Sequence, residues 1–416
     1  RPVRRQAAPP KRKRPAPARK KPAPRPAPRQ VEAGLVNAAA LAPFFDELRQ
    51  LQAGTGTGPV RVLHFGDSHT AADMWTGRIR ERLQARFGDG GPGLVLPGGP
   101  WRGYPHAGMK FLTGRKWEAL SVRSPLCDGW VGLTGACIVP PGGETFWLRA
   151  AFADFRLQTL EEAPQEAPAC LLGSDASAVP DGATVPASGP RPLSLQVGAE
   201  APLADGRLLR IRGPEAPLPL ASRELGLALS PNVRVLGIEL LSGRPGIVYD
   251  ELGLNGAELL DLERWTPRIR QALLADARAG LLVLAYGTNE AGHASLDPQE
   301  YQTRAIALLD ELRRESGAPI LLVGPPDRSA RAKRSRVGLA AQESAIIRAL
   351  KSAAQETGCA FWDMRQAMGG PGTMLKWRRA GLAQPDLVHL TGPGYQRLAD
   401  LLVDALLDGS RRQTGP

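Results

Sequence analysis

The sequence predicts an α/β protein whose parallel sheet, covered by helices on both faces, is interrupted by an all-β insert. Short apolar strands alternate with helical segments before residue 88 and again after residue 232, a pattern typical of parallel sheets. Residues 88–232 hold only short strand-like runs between turns rich in glycine and proline. The first 30 residues contain no Asp or Glu and almost nothing apolar, which predicts a tail outside the fold.

The positive charge of the chain is concentrated in that tail. The formal net charge is +12, and 12 of the 53 Lys and Arg residues lie within residues 1–30. The remaining basic residues are as numerous as the 41 acidic residues, so the folded part is formally neutral and does not indicate a surface for nucleic acid. Because such a segment cannot bury enough apolar surface to offset its ordering entropy, residues 1–32 are predicted to be disordered and extended.

The first residue, the apolar runs and the cysteines restrict the class of protein. Because the chain begins with Arg1 rather than Met, an upstream piece such as a signal peptide or an anchor is expected. The longest apolar runs, such as Leu281–Ala285, are too short to span a bilayer, so a soluble protein is predicted. The four cysteines show no zinc-ligand spacing. A Cys127–Cys137 disulfide and two buried free thiols are equally consistent with the sequence.

The N-terminal elements follow from apolar spacing. Val36–Gln52 and Ala71–Phe87 have apolar residues at helical intervals, and Val60–Phe65 is a short apolar run typical of a buried strand. Turn signals such as PPGG, PDG and ADG divide the insert into short strands. The strand candidates there are Thr145–Phe152, Leu193–Val197, Arg207–Ile211 and Leu225–Leu229.

Strands and helices alternate again from Val233. The strand at 60–65 is assigned to the same sheet, so one α/β domain surrounds the insert. Asp297 is a suitable N-cap for one helix, and Pro298 follows at its first position. The predicted strands are Val235–Leu241, Leu281–Ala285, Ile320–Val323 and Cys359–Trp362, and the predicted helices are Glu258–Leu274, Pro298–Arg314, Gly338–Thr357 and Pro393–Leu407.

Polar loops of this sheet carry residues suited to acyl transfer. In an open parallel sheet, function collects just beyond the carboxyl ends of the strands. The loops are Gly66–His69 after the strand at 60–65, Gly253–Gly256 placed after the strand at 235–241, Gly287–Glu290 after the strand at 281–285, and Asp386–His389 before the last helix.

These loops could supply every group that a serine nucleophile needs. The hydroxyl of Ser68 requires a base that takes its proton, and His389 with Asp386 three residues earlier can provide the base and its orienting partner. The oxyanion of the tetrahedral intermediate requires donors already in place. The N–H of Ser68, the N–H of Gly256 and the side-chain amide of Asn289 are the candidates.

Other interpretations of the same residues stay open. Each motif alone also occurs in ordinary turns, so the prediction depends on the loops of Ser68, Asn289 and His389 belonging to one sheet. His64 lies in a strand and is predicted to be a hydrogen-bonded core residue. His69 could contact substrate, although a structural role is favoured. Glu290 and His293 form a rival acid–histidine pair.

The succession of GDS, a glycine, GTN and DLVH resembles the SGNH/GDSL hydrolase family, which is named after its Ser, Gly, Asn and His. The resemblance implies that Ser68 is the nucleophile, that Asp386 and His389 complete the triad, and that Gly256 and Asn289 complete the oxyanion hole. Gly253 is the alternative to Gly256. The sequence departs from simple GDSL lipases at His69, where Leu is usual, and at Glu290, where many members have Asp.

A narrower resemblance is carried by FGDSHTAAD, the following GGPG, IVYDELGLNGA and YGTNEAG, which are similar to bacterial peptidoglycan O-acetylesterases. Those proteins carry a β domain like a carbohydrate-binding module at the same place, and their relatives include periplasmic polysaccharide acetyltransferases. The resemblance implies a three-layer α/β/α hydrolase domain formed by residues 33–98 and 233–416. It also implies an inserted jelly-roll-like domain over residues 99–232, with a possible role in carbohydrate binding.

The function implied is removal of O-acetyl groups from a cell-wall glycan, peptidoglycan above all, through an acetyl-enzyme. The alternatives are a periplasmic polysaccharide O-acetyltransferase, a non-catalytic glycan-binding or wall-anchoring protein, and a lipase or thioesterase for longer chains. No metal or other cofactor and no specific nucleic acid is expected, and the location implied is periplasmic or secreted.

Two further features are compatible with a wall glycan as the substrate, but they do not require one. The basic tail is either a cationic arm attracted to an anionic wall or membrane surface, or a plain solvated linker. Trp101, Tyr104 and Trp130 could stack on sugar rings, although core packing is favoured for such aromatic side chains.

Overall fold

A computed structural model describes most of the chain after the tail. The tail of residues 1–32, predicted to be disordered, lies outside the described residues, as does part of the strand predicted over Leu193–Val197. The described residues are 34–413 without 98–99, 102–103, 105, 113–116, 141–144, 162–168, 176–190, 193–195, 198–200, 204–205, 214–217, 230–232 and 330–332.

Strands and helices are numbered here in chain order. The strands are β1 Pro59–Gly66, β2 Gly93–Val95, β3 Met109–Phe111, β4 Glu118–Ser121, β5 Ala136–Val139, β6 Thr145–Phe152, β7 Asp154–Glu161, β8 Ala169–Asp175, β9 Arg191–Pro192, β10 Gln196–Val197, β11 Ala201–Leu203, β12 Gly206–Arg212, β13 Ala221–Ala228, β14 Val233–Leu241, β15 Gly246–Gly253, β16 Leu281–Ala285, β17 Ile320–Gly324 and β18 Ala360–Asp363. The α-helices are α1 Ala42–Gln52, α2 Trp75–Phe87, α3 Pro267–Ala277, α4 Pro298–Ser316, α5 Lys333–Glu356, α6 Met364–Ala367, α7 Met374–Arg379 and α8 Gly392–Arg412, and 3₁₀ helices span Ala38–Leu41, Leu259–Arg264 and Glu290–Gly292.

A five-stranded parallel sheet in the order β15-β1-β16-β17-β18 forms the centre of the α/β part of the chain. Alternate residues of its strands point to opposite faces. Val62 and Val283 lie in the core formed with α1, α2 and α8, whereas Leu63 and Leu282 lie in the core formed with α3, α4 and α5. The prediction of a mixed α/β fold around a parallel sheet is therefore confirmed.

The edge strand next to β1 is β15, and the prediction that Val235–Leu241 belongs to the parallel sheet is wrong. β15 pairs in parallel with β1 along its whole length, from Pro59 opposite Gly246 to Gly66 opposite Gly253. β14 pairs antiparallel with β7 and β2 instead. Two apolar runs only a few residues apart thus join different sheets.

The strands between β1 and β15 form two antiparallel sheets. One has the order β10-β12-β7-β14-β5-β4, with β11 and β2 as additional partners, and the other has the order β3-β6-β13-β8-β9. A separate apolar core includes Phe146, Leu148, Phe155, Leu157 and Ile238, which come from both sheets. Inward-facing residues of two sheets thus share one core.

The helix predicted over Glu258–Leu274 is interrupted. A 3₁₀ helix ends at Arg264, and α3 starts at Pro267, because proline lacks the N–H that a continuous helix needs and disfavours helical backbone at Thr266. The predicted N-cap of α4 is confirmed, since the carboxylate of Asp297 accepts the N–H of Gln299 at 2.9 Å. None of the described helices is both long and apolar enough to cross a membrane.

The cysteines and aromatic residues singled out in the sequence are placed as follows. Cys127 and Cys137 are free thiols, and burial raises the pKa of Cys137 to about 12. Tyr104 is buried, and its hydroxyl accepts the N–H of Leu96 at 3.1 Å, so it packs in the core as favoured. Trp101 and Trp130 are half-buried against core clusters.

Candidate active site

The turn after β1 presents Ser68 while burying the residues on either side of it. Asp67 and His69 are buried and Ser68 is half-exposed. The carboxylate of Asp67 accepts the N–H of His69 at 2.9 Å, and its carbonyl accepts the N–H groups of Thr70 and Ala71. At Gly66 a Cβ would stand 2.1 Å from the hydroxyl of Thr70, so only glycine allows the chain to turn this tightly.

A second turn, before α8, fixes Asp386 and His389 together. One carboxylate oxygen of Asp386, Oδ1, accepts the N–H groups of Val388 and His389, both at 3.0 Å. The other, Oδ2, lies 2.8 Å from Nδ1 of His389. Leu387 bridges the turn with a left-handed backbone, φ 62°. The spacing of three residues thus lets one carboxylate hold both the turn and the imidazole.

The hydrogen bonds at Asp386 favour its charged form. Partial burial alone would raise its pKa, but the donors on Val388 and His389 outweigh burial, and the pKa of Asp386 lies below its ordinary value. An ionised carboxylate beside Nδ1 keeps the ring proton on that nitrogen, which leaves Nε2 as an acceptor. Nε2 of His389 lies 2.9 Å from Oγ of Ser68. The serine hydroxyl, the imidazole and the carboxylate therefore form one continuous hydrogen-bonded chain.

The donors predicted for the oxyanion hole keep N–H hydrogens that are free of protein acceptors within the described residues. Within the described residues, the N–H groups of Ser68 and Gly256 donate to no protein acceptor. Gly256 adopts φ +75°, a conformation that glycine tolerates best. Asn289 uses its Nδ2 to donate to the carbonyl of Ala257 at 2.8 Å, and an amide nitrogen has a second hydrogen to offer. By contrast, the N–H of Gly253 is already bonded to the carboxylate of Glu251 at 2.8 Å.

Close packing joins the first loop to the loop that holds Gly256. A Cβ at Gly253 would stand 2.1 Å from the backbone nitrogen of Ala71, so the two backbones meet with no room for a side chain. Leu254 continues the contact by donating its N–H to the carbonyl of Gly66 at 2.9 Å. The loop after β15 is thus fixed against the turn that carries Ser68.

The rival pair of Glu290 and His293 does not form. Glu290 is fully buried, and it accepts the hydroxyl of Tyr301 and the N–H of Leu259 at 2.9 Å each and the N–H of Gly287 at 3.0 Å. His293 instead lies 3.1 Å from Glu258. Glu290 therefore ties the loop of Asn289 to the segment after Gly256 and has no contact of its own with a histidine base.

The other two histidines of interest are packed into the protein. His64 is fully buried, Nδ1 lies 2.7 Å from the hydroxyl of Tyr249, and burial lowers its pKa to about 3. The prediction of a core histidine is confirmed. His69 is buried with Nδ1 2.9 Å from the hydroxyl of Tyr395, and burial is the main reason that its pKa is lowered. Its ring centroid lies 5.2 Å from that of His389, which fits the favoured structural role.

Three side chains near the site carried no signal in the sequence. Tyr395 orients His69 from α8. Arg328, in the loop after β17, donates to the carbonyl of Thr288. Arg123 comes from the segment between β4 and β5, pairs with Asp261 at 2.7 Å, and lies 3.6 Å from where a Cβ of Gly256 would be. Only the folded chain brings them here, since no motif or spacing links them to the serine.

Glu290 should give the stability of the protein a distinctive pH dependence. Burial raises its pKa to about 7 from an ordinary value of 4.5, so the folded chain holds this proton more tightly than the unfolded chain. The stabilisation from this proton is complete below the pKa that Glu290 has in the unfolded chain. It is lost as the pH rises through the pKa that Glu290 has in the folded chain. Relative to Glu290→Gln, the wild-type free energy of unfolding should therefore fall by on the order of 3 kcal/mol between about pH 4.5 and 7.5.

Urea unfolding at several pH values across this range measures the difference. Glu300→Gln, which alters an exposed glutamate on α4, is the matched control and should follow the wild type at every pH. If the curves of Glu290→Gln and the wild type run parallel across the range, the buried carboxyl does not titrate as described.

One family model matches part of the chain, and solved structures are similar to it. Residues 230–397 match the model of the GDSL-like lipase/acylhydrolase family. A solved structure of a peptidoglycan O-acetylesterase is similar to the chain with 25% sequence identity and a TM-score of 0.70, and the alignment covers 91% of this chain and 99% of that one. The search of curated proteins found no match.

Two further solved structures match about two fifths of the chain. A carbohydrate acetylesterase from Sinorhizobium meliloti is 16% identical with a TM-score of 0.30, over 39% of this chain and 79% of that one. A lipase/acylhydrolase from Enterococcus faecalis is 16% identical with a TM-score of 0.30, over 41% of this chain and 77% of that one.

The parallel sheet, the serine turn and the match over residues 230–397 make the chain similar to GDSL-like lipases/acylhydrolases and support an esterase. Within that class the chain resembles peptidoglycan O-acetylesterases, in agreement with the resemblance noted in its sequence.

Proposed function

We propose that the protein removes O-linked acetyl groups from a cell-wall glycan, with Ser68, His389 and Asp386 as its catalytic triad. The observation that carries the proposal is the unbroken contact from Oγ of Ser68 to Nε2 of His389 at 2.9 Å, and from Nδ1 of His389 to Asp386 at 2.8 Å. A serine hydroxyl within reach of an oriented imidazole is the arrangement that nucleophilic acyl transfer requires.

The first half of the reaction transfers the acetyl group to the enzyme. Nε2 of His389 takes the proton as Oγ of Ser68 attacks the acetyl carbonyl, and Asp386 stabilises the imidazolium that forms. The carbonyl oxygen becomes an oxyanion. When the tetrahedral intermediate collapses, the bond to the sugar oxygen breaks, and the imidazolium returns its proton to that oxygen. The sugar leaves with a free hydroxyl, and the acetyl group remains on Ser68.

The second half returns the enzyme to its starting state. Water replaces the sugar, and the imidazole of His389 takes a proton from it as it attacks the acetyl carbonyl. The second tetrahedral intermediate releases acetate, and Oγ of Ser68 recovers its proton from the imidazolium. These steps need only groups that the chain itself supplies.

The oxyanion is assigned to three donors: the N–H of Ser68, the N–H of Gly256 and Nδ2 of Asn289. Buried or half-buried N–H groups without partners are uncommon and require an explanation. An oxyanion hole is such an explanation, because its donors must be kept free for a charge that exists only during the reaction. Gly256 is preferred to Gly253, whose N–H is already bonded to Glu251.

Replacing Asn289 with alanine should reduce kcat by about 10²–10³-fold, because one donor to the oxyanion is lost. Asn255→Ala is the matched control, since Asn255 is an exposed asparagine in the neighbouring loop. Steady-state hydrolysis of a small acetyl ester measures both variants. Equal rates for Asn289→Ala and the control would remove Asn289 from the oxyanion hole.

The substrate class is proposed from the peptidoglycan O-acetylesterase to which the chain is similar over 91% of its length. Peptidoglycan would place the protein in the periplasm or outside the cell. The strands between β1 and β15 are proposed to form a carbohydrate-binding insert, with the half-buried Trp101 and Trp130 as candidate contacts to sugar. The basic tail is proposed to be attracted to the anionic wall or membrane surface.

Acetate release from purified O-acetylated peptidoglycan, compared with O-acetylated xylan, tests the substrate. The proposal predicts faster release from peptidoglycan. Faster release from xylan would contradict it, and acetylated glycan accumulating from an added acyl donor would identify a transferase instead. Binding to wall glycan without cleavage of any acetyl ester would identify a non-catalytic protein.

A further inference from the structure

A cavity of about 280 Å³ lies between the parallel sheet and the larger antiparallel sheet, far from Ser68. Pro59, where β1 begins, lines it, whereas the serine follows Gly66 at the other end of the same strand. A strand rises about 3.3 Å per residue, so the two ends are on the order of 20 Å apart. Six charged residues line this arginine cavity: Arg61, Arg156, Arg212, Glu239, Asp276 and Arg278.

The floor of the arginine cavity is a buried ion-pair cluster. Arg61 pairs with Glu239, and its Nε lies 3.4 Å from the carboxylate of Asp250. Arg156 reaches the same Glu239 at 3.7 Å. The side chains of Arg61 and Glu239 are only 9% and 5% exposed. The carboxylates of the floor are therefore already shared between guanidinium groups and leave little negative charge for the rest of the cavity.

The rim of the arginine cavity is formed by Arg212, Asp276 and Arg278. Its arginines carry positive charge that the carboxylates of the floor do not balance. Arg212 and Arg278 are exposed, and neither forms an ion pair within the described residues. Nε of Arg156 is buried and has no acceptor among the residues that the structure describes. The one rim carboxylate, Asp276, is engaged at least by Nε2 of Gln158, at 3.3 Å.

The electrostatics of Arg156 reflect this crowding of cations. Burial, and then the charges of Arg61 and Arg212, lower the pKa of its guanidinium. The like charges of Arg61 and Arg212 act on Arg156 in this direction, and the carboxylates of Asp154 and Asp276 act against them. An anion that entered the cavity would supply the acceptor that Nε of Arg156 lacks.

We propose that the arginine cavity binds an anionic group, a phosphate or a carboxylate, separately from the acyl-transfer site. Guanidinium groups match both groups through paired N–H donors. The volume is near the lower end of the range for small-ligand sites, enough for one such group with a small attached residue. A glycan or wall polymer with anionic substituents could then be held at a second point, remote from the ester that is cleaved.

The test uses the full chain and two probes, inorganic phosphate and citrate, at constant ionic strength. Arg212→Ala/Arg278→Ala removes the two exposed rim cations. The matched control, Arg268→Ala/Arg314→Ala, removes two exposed arginines on α3 and α4 that form no ion pair within the described residues. Thermal unfolding against probe concentration gives the apparent affinity. The basic tail is the same in all three proteins, so differences between them report the cavity.

At least one probe should stabilise the wild type and the control equally, and the rim variant should bind it at least about ten-fold more weakly. Stabilisation by phosphate alone or by citrate alone would support the proposal and identify the group that is preferred. Equal binding by all three proteins, or no stabilisation of the wild type by either probe, would overturn it.

Hydrolysis of a small acetyl ester separates this proposal from the proposed function. The rim variant should keep wild-type activity, because the arginine cavity lies at the opposite end of β1 from Ser68. If the wild type bound an anion but showed no esterase activity, the proposed anion site would stand and the proposed acyl transfer would be rejected. Loss of activity in the rim variant would contradict the separation of the two sites.

Discussion

Replacing Ser68 with alanine should abolish acetate release from a small acetyl ester, with a loss on the order of 10⁴-fold or more. In the proposed mechanism Oγ of Ser68 forms the acyl bond, and no other hydroxyl is held at 2.9 Å from the imidazole of His389 within the described residues. Alanine fits the same turn, because Asp67 and Thr70, which hold it, make their bonds through groups that the substitution leaves in place.

Ser295→Ala provides the control, since Ser295 is exposed in the loop before α4 and contacts none of the proposed catalytic groups. Both variants should unfold at the wild-type temperature. Substantial acetate release by folded Ser68→Ala would reject Ser68 as the nucleophile and, with it, the acetyl-enzyme.

Replacing Asp386 with asparagine should reduce kcat by about 10⁴-fold while leaving the turn intact. The side-chain oxygen of asparagine can still accept the N–H groups of Val388 and His389, as Oδ1 does now. Its amide nitrogen, however, would donate to Nδ1 of His389. The ring proton would then move to Nε2, and a protonated Nε2 cannot accept the proton of Ser68.

Asp408→Asn is the matched control, because Asp408 is an exposed aspartate near the end of α8 whose ion pair among the described residues is with Arg411. Initial rates with a small acetyl ester compare the two variants. A folded Asp386→Asn enzyme with a rate close to that of the control would mean that Asp386 does not set the tautomer of His389.

The proposed catalytic residues could be selected from the sequence because each of them lies in a short local pattern. Ser68 follows a buried strand in a tight glycine turn, and Asp386 and His389 lie on one turn with a spacing that a single carboxylate can bridge. Parallel strands place their carboxyl ends at one edge of the sheet, so these turns were expected to meet. In the structure the turn of Asp386 and His389 follows α7 rather than a strand, and it meets Ser68 across 321 positions of sequence.

The strand next to β1 could not be predicted from its own residues. Gly246–Gly253 includes Asp250 and Glu251, which are 0% and 1% exposed, and carboxylates inside a buried strand run against the apolar pattern. They are tolerated because Asp250 accepts the N–H of Leu94 and lies beside Arg61, and because Glu251 accepts the N–H of Gly253. Leu94 and Arg61 lie far from Asp250 in the sequence, and the N–H of Gly253 reaches Glu251 only when the following loop is folded.

The sheet that a strand joins is equally non-local. Val233–Leu241 and Gly246–Gly253 are both buried almost throughout, yet one pairs antiparallel with β7 and the other in parallel with β1. Apolar content predicts that both are strands, whereas pairing depends on the partners available in three dimensions. The contact of Arg123 with the loop of Gly256 is inaccessible to sequence reasoning for the same reason.

Labelling with a fluorophosphonate tests most directly whether Ser68 is a nucleophile activated by His389. Such a probe forms a stable bond to an activated serine, and peptide mapping identifies the residue that carries it. We expect the label on Ser68 alone, at a rate that falls at least about 10²-fold in His389→Ala. Labelling of a different residue, or labelling of Ser68 at the same rate without the imidazole, would contradict the account.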